Sequence, residues 1–272
     1  MEPTTISTGS SGLHALRAGN GPHTLVLLHG FPEDSGLWRE VIPELSEEFS
    51  LIIPDLPGAG ESPLSAGKLT MEAMADAVAA LLDENKTEGR VMLAGHSMGG
   101  YAALAFLEKY PERLAGIALV HSSAAPDDDE KKETRRKTIR LLQNGGQRQF
   151  VDEMVPALFS PTTRAEQPSL VEEQKQRAMR LSPEAMISFY EAMIIRPDRR
   201  ALLERARVPV QFIFGKDDTT IPVDKALPQA LLPGVSFVST YLSVGHLSML
   251  EQPARLAGDL ARFARYCFEE VH

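Results

Sequence analysis

The sequence predicts an α/β protein whose core is a doubly wound, mostly parallel sheet of eight strands, interrupted by a helical insertion. Short apolar runs recur along the chain, and runs without polar alternation are typical of parallel strands buried on both faces. Helical patterns with short links separate these runs, as in sheets with right-handed crossovers. The predicted parallel strands cover residues 24–29, 50–54, 90–94, 114–121, 208–215 and 235–242.

The remaining two strands are predicted at the start of the chain. Residues 6–18 are partly alternating and interrupted by glycine, a pattern that suits a hairpin of two edge strands. Apolar residues at helical spacing predict helices in 35–45, in 71–82 and directly after the strand at 90–94. Two further helices are expected, one over residues 223–231 and one from residue 253 to the end.

The strand rhythm breaks in residues 123–205, which carry amphipathic helical patterns and no convincing strand. We therefore predict a core made of residues 1–122 and 206–272, with residues 123–205 as a helical cap inserted within one domain. An insertion that leaves a parallel sheet at the carboxyl end of a strand lies over the crevice where such sheets bind ligands. The cap is thus expected to cover the functional site.

Composition narrows the class of protein. The chain has 272 residues, of which 43% are hydrophobic, and a net charge of -9, so it suits one large α/β domain and no nucleic-acid surface is expected. The single cysteine excludes an internal disulfide and a cysteine metal site. The first residues do not read as a signal peptide, and no apolar run is long enough for a membrane span, so we expect a cytoplasmic protein without membrane contact.

The segment 91–101 carries the strongest chemical signal. An apolar strand runs into Gly95-His96-Ser97-Met98-Gly99, and a helical pattern follows at once. A turn this sharp brings backbones close together, and a Cβ at either flanking glycine would collide. The serine is left at the apex with its hydroxyl facing out, which is the nucleophile-elbow pattern. Ser97 is therefore the predicted nucleophile.

A serine nucleophile needs a base and a third group that orients the base. Of the seven histidines, His246 follows the last strand on a loop that Gly245 allows to bend back, and it comes after serine and acid in the required chain order. The acid is expected on the loop after the strand that ends at residue 215. That loop holds two adjacent carboxylates, Asp217 and Asp218, and position alone leaves both open.

Acyl transfer also needs donors for a developing oxyanion. The backbone N–H of Met98, next to the nucleophile, is one candidate. The N–H of Phe31 is the other, because Gly30 lets its loop turn and Pro32 has no N–H. This chemistry requires no metal and no organic cofactor, so none is expected.

Taken together, these segments resemble the ordered motif set of the α/β-hydrolase superfamily over nearly the whole chain outside the insertion. The segments are 29–32, 55–62, 95–99, 215–222 and 245–246. The resemblance implies the same fold with a helical cap. It also selects Asp218 as the acid, since the family motif has Gly-x-x-Asp with proline four residues later, here Pro222. Asp55 is expected to be structural.

The resemblance also separates branches of the superfamily. His-Gly-Phe-Pro is common in epoxide hydrolases and haloalkane dehalogenases, which use an aspartate nucleophile, whereas this chain has Ser97 and Met98. The His-Gly-Gly-Gly motif of large lipases is absent, so a small carboxylic ester or lactone is the expected substrate. Two alternatives stay open: a C–C bond hydrolase or perhydrolase, which share Ser-Met-Gly-Gly, and a non-catalytic small-molecule binding protein that kept the hydrolase shell.

Spacing does not determine how the cap helices sit, so the pocket walls are predicted only from residue type. The candidates are Trp38, Phe150, Phe159, Met179 and Tyr190.

Overall fold

The computed structural model describes residues 4–7, 12–64 and 66–269. Within these ranges the chain forms the eight predicted strands. They are β1 Thr4–Ser7, β2 His14–Ala18, β3 Thr24–Leu28, β4 Ser50–Pro54, β5 Val91–His96, β6 Leu114–Val120, β7 Val210–Gly215 and β8 Ser236–Tyr241.

The strands form one sheet in the order β1-β2-β4-β3-β5-β6-β7-β8. The pairs β1/β2 and β2/β4 are antiparallel, and all the other neighbours are parallel. The antiparallel pairing of the predicted hairpin is confirmed. Its connection, residues 8–11, and residues 1–3 of the chain lie outside the described residues. One detail of that prediction is wrong: of the two hairpin strands, only β1 lies at an edge of the sheet, because β2 pairs with β4 on its other side.

The described residues contain twelve α-helices. They are α1 Ile42–Leu45, α2 Met71–Glu84, α3 Met98–Lys109, α4 Asp129–Gln143, α5 Gln147–Ala157, α6 Pro161–Glu166, α7 Pro168–Ala178, α8 Pro183–Ile195, α9 Arg200–Glu204, α10 Val223–Ala226, α11 Ser248–Glu251 and α12 Pro253–Glu269. Short 3-10 helices occupy Ser35–Trp38, Pro111–Arg113 and Leu227–Leu231.

Two predicted helices are shorter than expected. Residues 35–45 form the 3-10 helix Ser35–Trp38 and then α1, separated by a turn. Pro43 accounts for the break, because it has no N–H to donate to the carbonyl of Arg39 in a continuous helix. Residues 223–231 likewise divide into α10 and a 3-10 helix that has a proline near its start.

The central strands β5 and β6 are buried along their full length, as their apolar sequences predict. Helix α3 packs against β5 and β6 and contacts α2, while α12 contacts the same two strands and α1. None of the helices that the structure describes is long and apolar enough to cross a bilayer.

A helical insertion lies between β6 and β7. Residues 123–205, all of which the structure describes, contain helices α4–α9 and no strand. Helix α4 packs on α8, and α5 packs on α7. Because β6 ends at the carboxyl edge of the sheet next to β5, the insertion begins beside the turn that carries Ser97.

Candidate active site

Ser97 occupies the turn between β5 and α3. Its backbone has φ 48° and ψ -113°, a conformation that costs a non-glycine residue free energy and occurs where neighbouring structure enforces it. Two contacts with the end of β6 hold it: the Ser97 N–H donates to the Val120 carbonyl at 2.9 Å, and the Ser122 hydroxyl donates to the Ser97 carbonyl at 2.8 Å. The strained turn presents the serine side chain at the carboxyl edge of the sheet.

The flanking glycines are sterically required. A Cβ at Gly95 would lie 2.4 Å from the Gly99 carbonyl oxygen, and a Cβ at Gly99 would lie 2.5 Å from the carbonyl oxygens of Leu28 and His29. Real Cβ atoms do not approach a backbone this closely. The close packing of β3, β5 and α3 therefore depends on glycine at both positions.

Asp218, of the two adjacent carboxylates, is the one that meets His246. Its Oδ2 accepts a hydrogen bond from His246 Nδ1 at 2.7 Å, and its Oδ1 accepts from the backbone N–H groups of Thr220 and Ile221 at 2.8 and 2.9 Å. Asp217 is only partly buried, and its N–H donates to Val244. With Nδ1 engaged, His246 Nε2 has no hydrogen-bond partner among the described residues.

The electrostatics of this pair favour an ionised carboxylate. Burial opposes ionisation of Asp218, but the charge of His246 and the hydrogen bonds from His121 and His246 outweigh it, so the pKa of Asp218 lies well below its usual range. A permanent negative charge on Asp218 stabilises a positive charge on His246. The pair can thus accept a proton from a hydroxyl and hold it as imidazolium.

His121 is a member of this cluster that sequence reasoning missed. Its Nδ1 lies 3.2 Å from Asp218 Oδ2, so two histidines share one carboxylate oxygen. Its Nε2 is sealed from solvent without a partner among the described residues, and burial lowers the pKa of its ring. A topological signal was available, because Ser97, His121 and Asp218 follow three neighbouring parallel strands at their carboxyl ends.

His96 braces the loop of His246. Its Nε2–H donates to the His246 carbonyl at 2.8 Å, and the two ring centroids are 4.8 Å apart. Burial, with the charges of His246 and His121, holds the pKa of His96 well below its usual value, so it is a neutral donor. His96, the residue before Ser97, therefore helps to position the loop of the predicted base.

Three of these residues have the atom types of a metal site. His121, Asp218 and His246 each offer one ligand-type atom, and these atoms lie within 4.8 Å of one another. The two Nδ1–Oδ2 distances, 2.7 and 3.2 Å, are those of N–H···O hydrogen bonds. Hydrogen bonds therefore explain the close approach of the two Nδ1 atoms to Asp218 Oδ2, and this geometry does not require a bound ion.

The loop with the predicted oxyanion donor lies directly against Ser97. A Cβ on Gly30 would lie 2.5 Å from Nδ1 of the buried His96 ring and 3.1 Å from the Ser97 Cβ, so the close approach of this loop depends on glycine. The peptide bond between Phe31 and Pro32 is cis. Neither the Phe31 nor the Met98 N–H donates to an acceptor within the described ranges, which leaves both available to a ligand oxygen.

Two side chains hold this loop in place. His29 donates from Nδ1 to the Gly30 carbonyl at 2.8 Å and accepts the Leu56 N–H on Nε2 at 2.9 Å. Asp55 accepts from the N–H groups of Ser35 and Glu61 at 2.7 and 3.0 Å, and from His14 Nδ1 at 2.8 Å. Asp55 thus joins its own loop to β2 and to the start of the 3-10 helix Ser35–Trp38, and it lies outside the Asp218 cluster.

An aromatic cluster covers the loop. The Phe31 ring lies 4.6 Å from the ring centroid of Tyr190, 6.1 Å from that of Phe150 and 6.3 Å from that of Phe189. Two predicted wall residues, Phe150 and Tyr190, are therefore brought to Phe31, together with Phe189, which was not among the candidates. All three come from cap helices α5 and α8.

The other wall candidates lie elsewhere. Trp38 is fully buried in the core, and its indole N–H has no partner in the described part of the chain. Phe159 is also buried, and its backbone packs against Gly245, next to the predicted base. Met179 is half-buried at the end of α7. A pocket role for these three residues stays a prediction.

The candidate site is largely buried. Ser97 is 8% exposed, His246 2% and Phe31 8%. Limited contact with water strengthens the electrostatic interactions within a site. The arrangement combines a serine at the apex of a strained turn, a histidine oriented by an ionised aspartate, and two free backbone donors, which is what nucleophilic attack on a carbonyl requires.

Comparison with known proteins yields relatives over nearly the full chain. A family model described as the alpha/beta hydrolase fold matches residues 23–253. An esterase from Thermogutta terrifontis, solved with malate bound, superposes with a TM-score of 0.90 at 34% identity, covering 98% of this chain and 99% of that one. A pimeloyl-[acyl-carrier protein] methyl ester esterase from Nitrosomonas europaea is 28% identical, covering 89% of this chain and 96% of its own.

The enol-lactonase from Burkholderia xenovorans LB400 also superposes, with a TM-score of 0.87 at 21% identity, covering 96% of this chain and 99% of the lactonase. At this identity the likeness concerns the fold alone.

Proposed function

Because the chain belongs to the α/β-hydrolase fold family, we propose that it is a serine hydrolase that cleaves a small carboxylic ester or lactone through an acyl-enzyme on Ser97. The observation that carries the proposal is the 2.7 Å hydrogen bond from His246 to Asp218 at the sheet edge where the Ser97 turn lies. The likeness to an esterase at 34% identity over almost the entire chain supports ester chemistry.

In the proposed reaction, Ser97 Oγ attacks the carbonyl carbon while His246 Nε2 takes the hydroxyl proton. The negative charge that develops on the carbonyl oxygen is held by the N–H groups of Phe31 and Met98. His246 then gives its proton to the leaving alcohol, and an acyl-enzyme forms. Water, deprotonated by His246, releases the acid and regenerates the serine.

Asp218 acts through His246 in this scheme. Its hydrogen bond fixes the tautomer that carries hydrogen on Nδ1, and its charge stabilises the imidazolium that forms twice per turnover. Every group needed for these steps belongs to the chain, so the proposal includes no metal and no cofactor. A lactone is a cyclic ester and follows the same steps, except that the alcohol stays attached to the acyl group.

The helices of residues 123–205 act in this proposal as a cap that excludes water and shapes the substrate pocket. Phe150, Phe189 and Tyr190 supply apolar surface directly above Phe31. Apolar walls around a few oriented polar groups are typical of small-molecule sites. A small molecule that carries an ester group is the proposed partner.

Ester hydrolysis by wild type and Ser97→Ala tests the proposal. Nitrophenyl acetate is a suitable first substrate, because a small acyl group makes the least demand on the pocket. We expect Ser97→Ala to lower kcat on the order of 10⁴-fold or more while its melting temperature stays near that of wild type. Full activity in the folded variant would overturn the proposal. Ligand binding without turnover would instead favour the binding-protein alternative.

A further inference from the structure

A buried ion cluster lies between the cap and the elbow helix, outside the Asp218 cluster. Asp127, at the start of the insertion, has a side chain with 0% exposure. Arg135 on α4 donates from Nε to one carboxylate oxygen at 2.6 Å, and Arg196, just after α8, donates from Nη2 to the other at 3.0 Å. The cluster thus holds two positive charges and one negative charge.

The two arginines differ in how their hydrogen-bonding capacity is used. Arg196 also donates to the carbonyls of Met193 and Ala125, and its guanidinium stacks on the Tyr101 ring at 4.0 Å. Arg135 makes only the bond from Nε. Its Nη1 and Nη2 have no hydrogen-bond partner among residues 4–7, 12–64 and 66–269, although its side chain is only 11% exposed.

The free nitrogens of Arg135 point to a ligand, because an unbalanced positive charge in a largely buried place is costly. No second carboxylate within the described ranges pairs with either arginine. The terminal nitrogens are also not among the atoms sealed from solvent. They therefore border accessible space and are free to donate two parallel hydrogen bonds, the geometry that a carboxylate accepts best.

Two tyrosine hydroxyls accompany the guanidinium. Tyr190 lies under Arg135, with the guanidinium carbon 5.0 Å from its ring centroid, and Tyr101 lies under Arg196. The two residues are 7% and 2% exposed, yet neither hydroxyl is sealed from solvent or bonded to a described residue. Burial raises the pKa of Tyr190 to about 12, so its hydroxyl stays a neutral donor.

The cluster adjoins the proposed reaction centre from two sides. The Tyr190 ring lies 4.6 Å from the ring of Phe31, whose N–H is the proposed oxyanion donor. Tyr101 is one helical turn beyond Ser97, and its N–H donates to the Ser97 carbonyl at 3.3 Å. The described contacts thus lead from the Arg135 guanidinium through the Tyr190 ring to Phe31.

We propose that the Nη1 and Nη2 of Arg135, with the hydroxyls of Tyr101 and Tyr190, bind a carboxylate of the substrate, so that the hydrolysed ester or lactone is an acidic one. This inference rests on the proposed function. The chain has a net charge of -9, and its overall field repels anions. A local cationic subsite offsets this repulsion for an acidic substrate.

Matched esters test the subsite. The acidic series consists of monomethyl esters of straight-chain dicarboxylic acids from succinate to suberate, and the neutral series of methyl esters of monocarboxylic acids with the same chain lengths. We expect wild type to favour the acidic ester at one chain length, and Arg135→Gln to lower the acidic-to-neutral ratio of kcat/KM about 100-fold. Asp127 keeps Arg196 in this variant, so its charge stays paired.

The neighbouring Arg136→Gln is the matched control, because Arg136 is on the same helix but exposed, and Glu133 is its only bonded partner in the described part of the chain. It should leave the ratio unchanged. Wild type that favours the neutral series at every length, or a ratio unaffected by Arg135→Gln, would overturn the subsite. Arg135→Lys, which keeps the charge without the two-pronged geometry, should give an intermediate ratio and serves if the glutamine variant does not fold.

Binding of adipate separates failure of the subsite from failure of the proposed function. If wild type hydrolyses neither series and also fails on nitrophenyl acetate, the proposed function is wrong, and the subsite is judged by binding alone. Calorimetry should then show adipate bound to wild type and to Arg136→Gln, with affinity about 100-fold weaker in Arg135→Gln. Equal affinity in all three proteins, or no binding to wild type, would overturn the subsite.

Discussion

Asp218 is the residue on which the candidate site depends most. Its Oδ1 closes its own loop through two backbone N–H groups, and its Oδ2 is shared by His246 and His121. One side chain therefore sets the shape of the loop and the orientation of the predicted base. The two functions use different oxygens, so they are separable by substitution.

Asp218→Asn is expected to lower kcat about 10⁴-fold with little loss of stability. Asparagine keeps a carbonyl oxygen for the Thr220 and Ile221 N–H groups, but it presents an NH₂ group where His246 Nδ1 needs an acceptor. The histidine then loses its tautomer and the charge that stabilises its protonated form. Ester turnover and the melting temperature are the measurements.

Asp217→Asn is the matched control for this experiment, because Asp217 is adjacent and its carboxylate has no bond to His246. It should retain activity. The assignment of Asp218 would be contradicted if the two variants lost activity equally, or if Asp217→Asn alone lost it.

For single residues, the sequence predicted the candidate catalytic side chains but not the neighbours that contact them in the folded chain. Motif order indicated Ser97, His246 and the acidic loop, and the resemblance to the family motif selected Asp218 over Asp217. His121 was missed because its relation to Asp218 depends on β6 and β7 being neighbours, while the two residues are far apart in the chain. Phe189 was missed because residue type does not show which face of α8 meets Phe31.

Among the elements, α7 and the loop after β3 form a contact that couples the cap to the proposed oxyanion donor. Gln174 donates to Glu33 in a short hydrogen bond, and Arg177 pairs with Asp34 at 2.5 Å. Glu33 is 4% exposed, and burial raises the pKa of its carboxyl to about 8, with Arg177 opposing the rise. A neutral glutamic acid therefore lies two residues from Phe31.

Glu33 makes the stability of the fold depend on pH. The raised pKa means that the folded state keeps this proton while the unfolded chain, with a pKa near 4.5, releases it. Stability from Glu33 is thus complete below the unfolded pKa, declines as pH rises from 4.5 to about 8, and is constant above that.

Glu33→Gln removes this dependence. The free energy of unfolding of wild type relative to Glu33→Gln should fall by several kcal/mol, in order of magnitude, between about pH 5 and about pH 9. Denaturant titrations at several pH values measure it. Glu40→Gln, at an exposed carboxylate just after the 3-10 helix Ser35–Trp38, should show no such trend. A difference between wild type and Glu33→Gln that does not vary with pH would contradict a buried neutral Glu33.

The elements themselves were mostly predictable. Short apolar runs identified β3 to β7, because parallel strands are buried on both sides and carry few polar residues. The predicted helix over 35–45 divided at Pro43, which the apolar spacing alone does not reveal. The place of β2 inside the sheet also could not be read from its sequence, since edge position depends on pairing with β4.

At the scale of the whole molecule, the helical insertion contacts two loops of the candidate site, the one after β3 and the one that carries His246. Beyond the contact of α7 with Glu33, the Leu158 carbonyl of the cap accepts the His246 N–H at 2.6 Å. Glu251 joins Gly245 to Ser160 through one carboxylate oxygen for each N–H, at 2.8 and 2.9 Å. No sequence pattern indicates these contacts, because they join segments that are distant in the chain.

The buried cysteine on α12, a helix that packs on β5 and β6, provides a reporter of global unfolding. Cys267, the one cysteine of the chain, is 1% exposed on α12, and burial raises the pKa of its thiol to about 12. Since the thiolate is the reactive form, iodoacetamide at neutral pH should modify the folded protein on the order of 10³-fold more slowly than the chain in denaturant. Rapid stoichiometric labelling without denaturant would contradict the packing of α12 on β5 and β6.

The central claim, that His246 and Asp218 activate Ser97, is tested most directly by a fluorophosphonate probe at neutral pH followed by peptide mapping. The account predicts one adduct, on Ser97, formed by the folded wild-type protein and lost in His246→Ala. An adduct on a different residue, labelling that persists in His246→Ala, or a folded wild-type protein that does not react would contradict it.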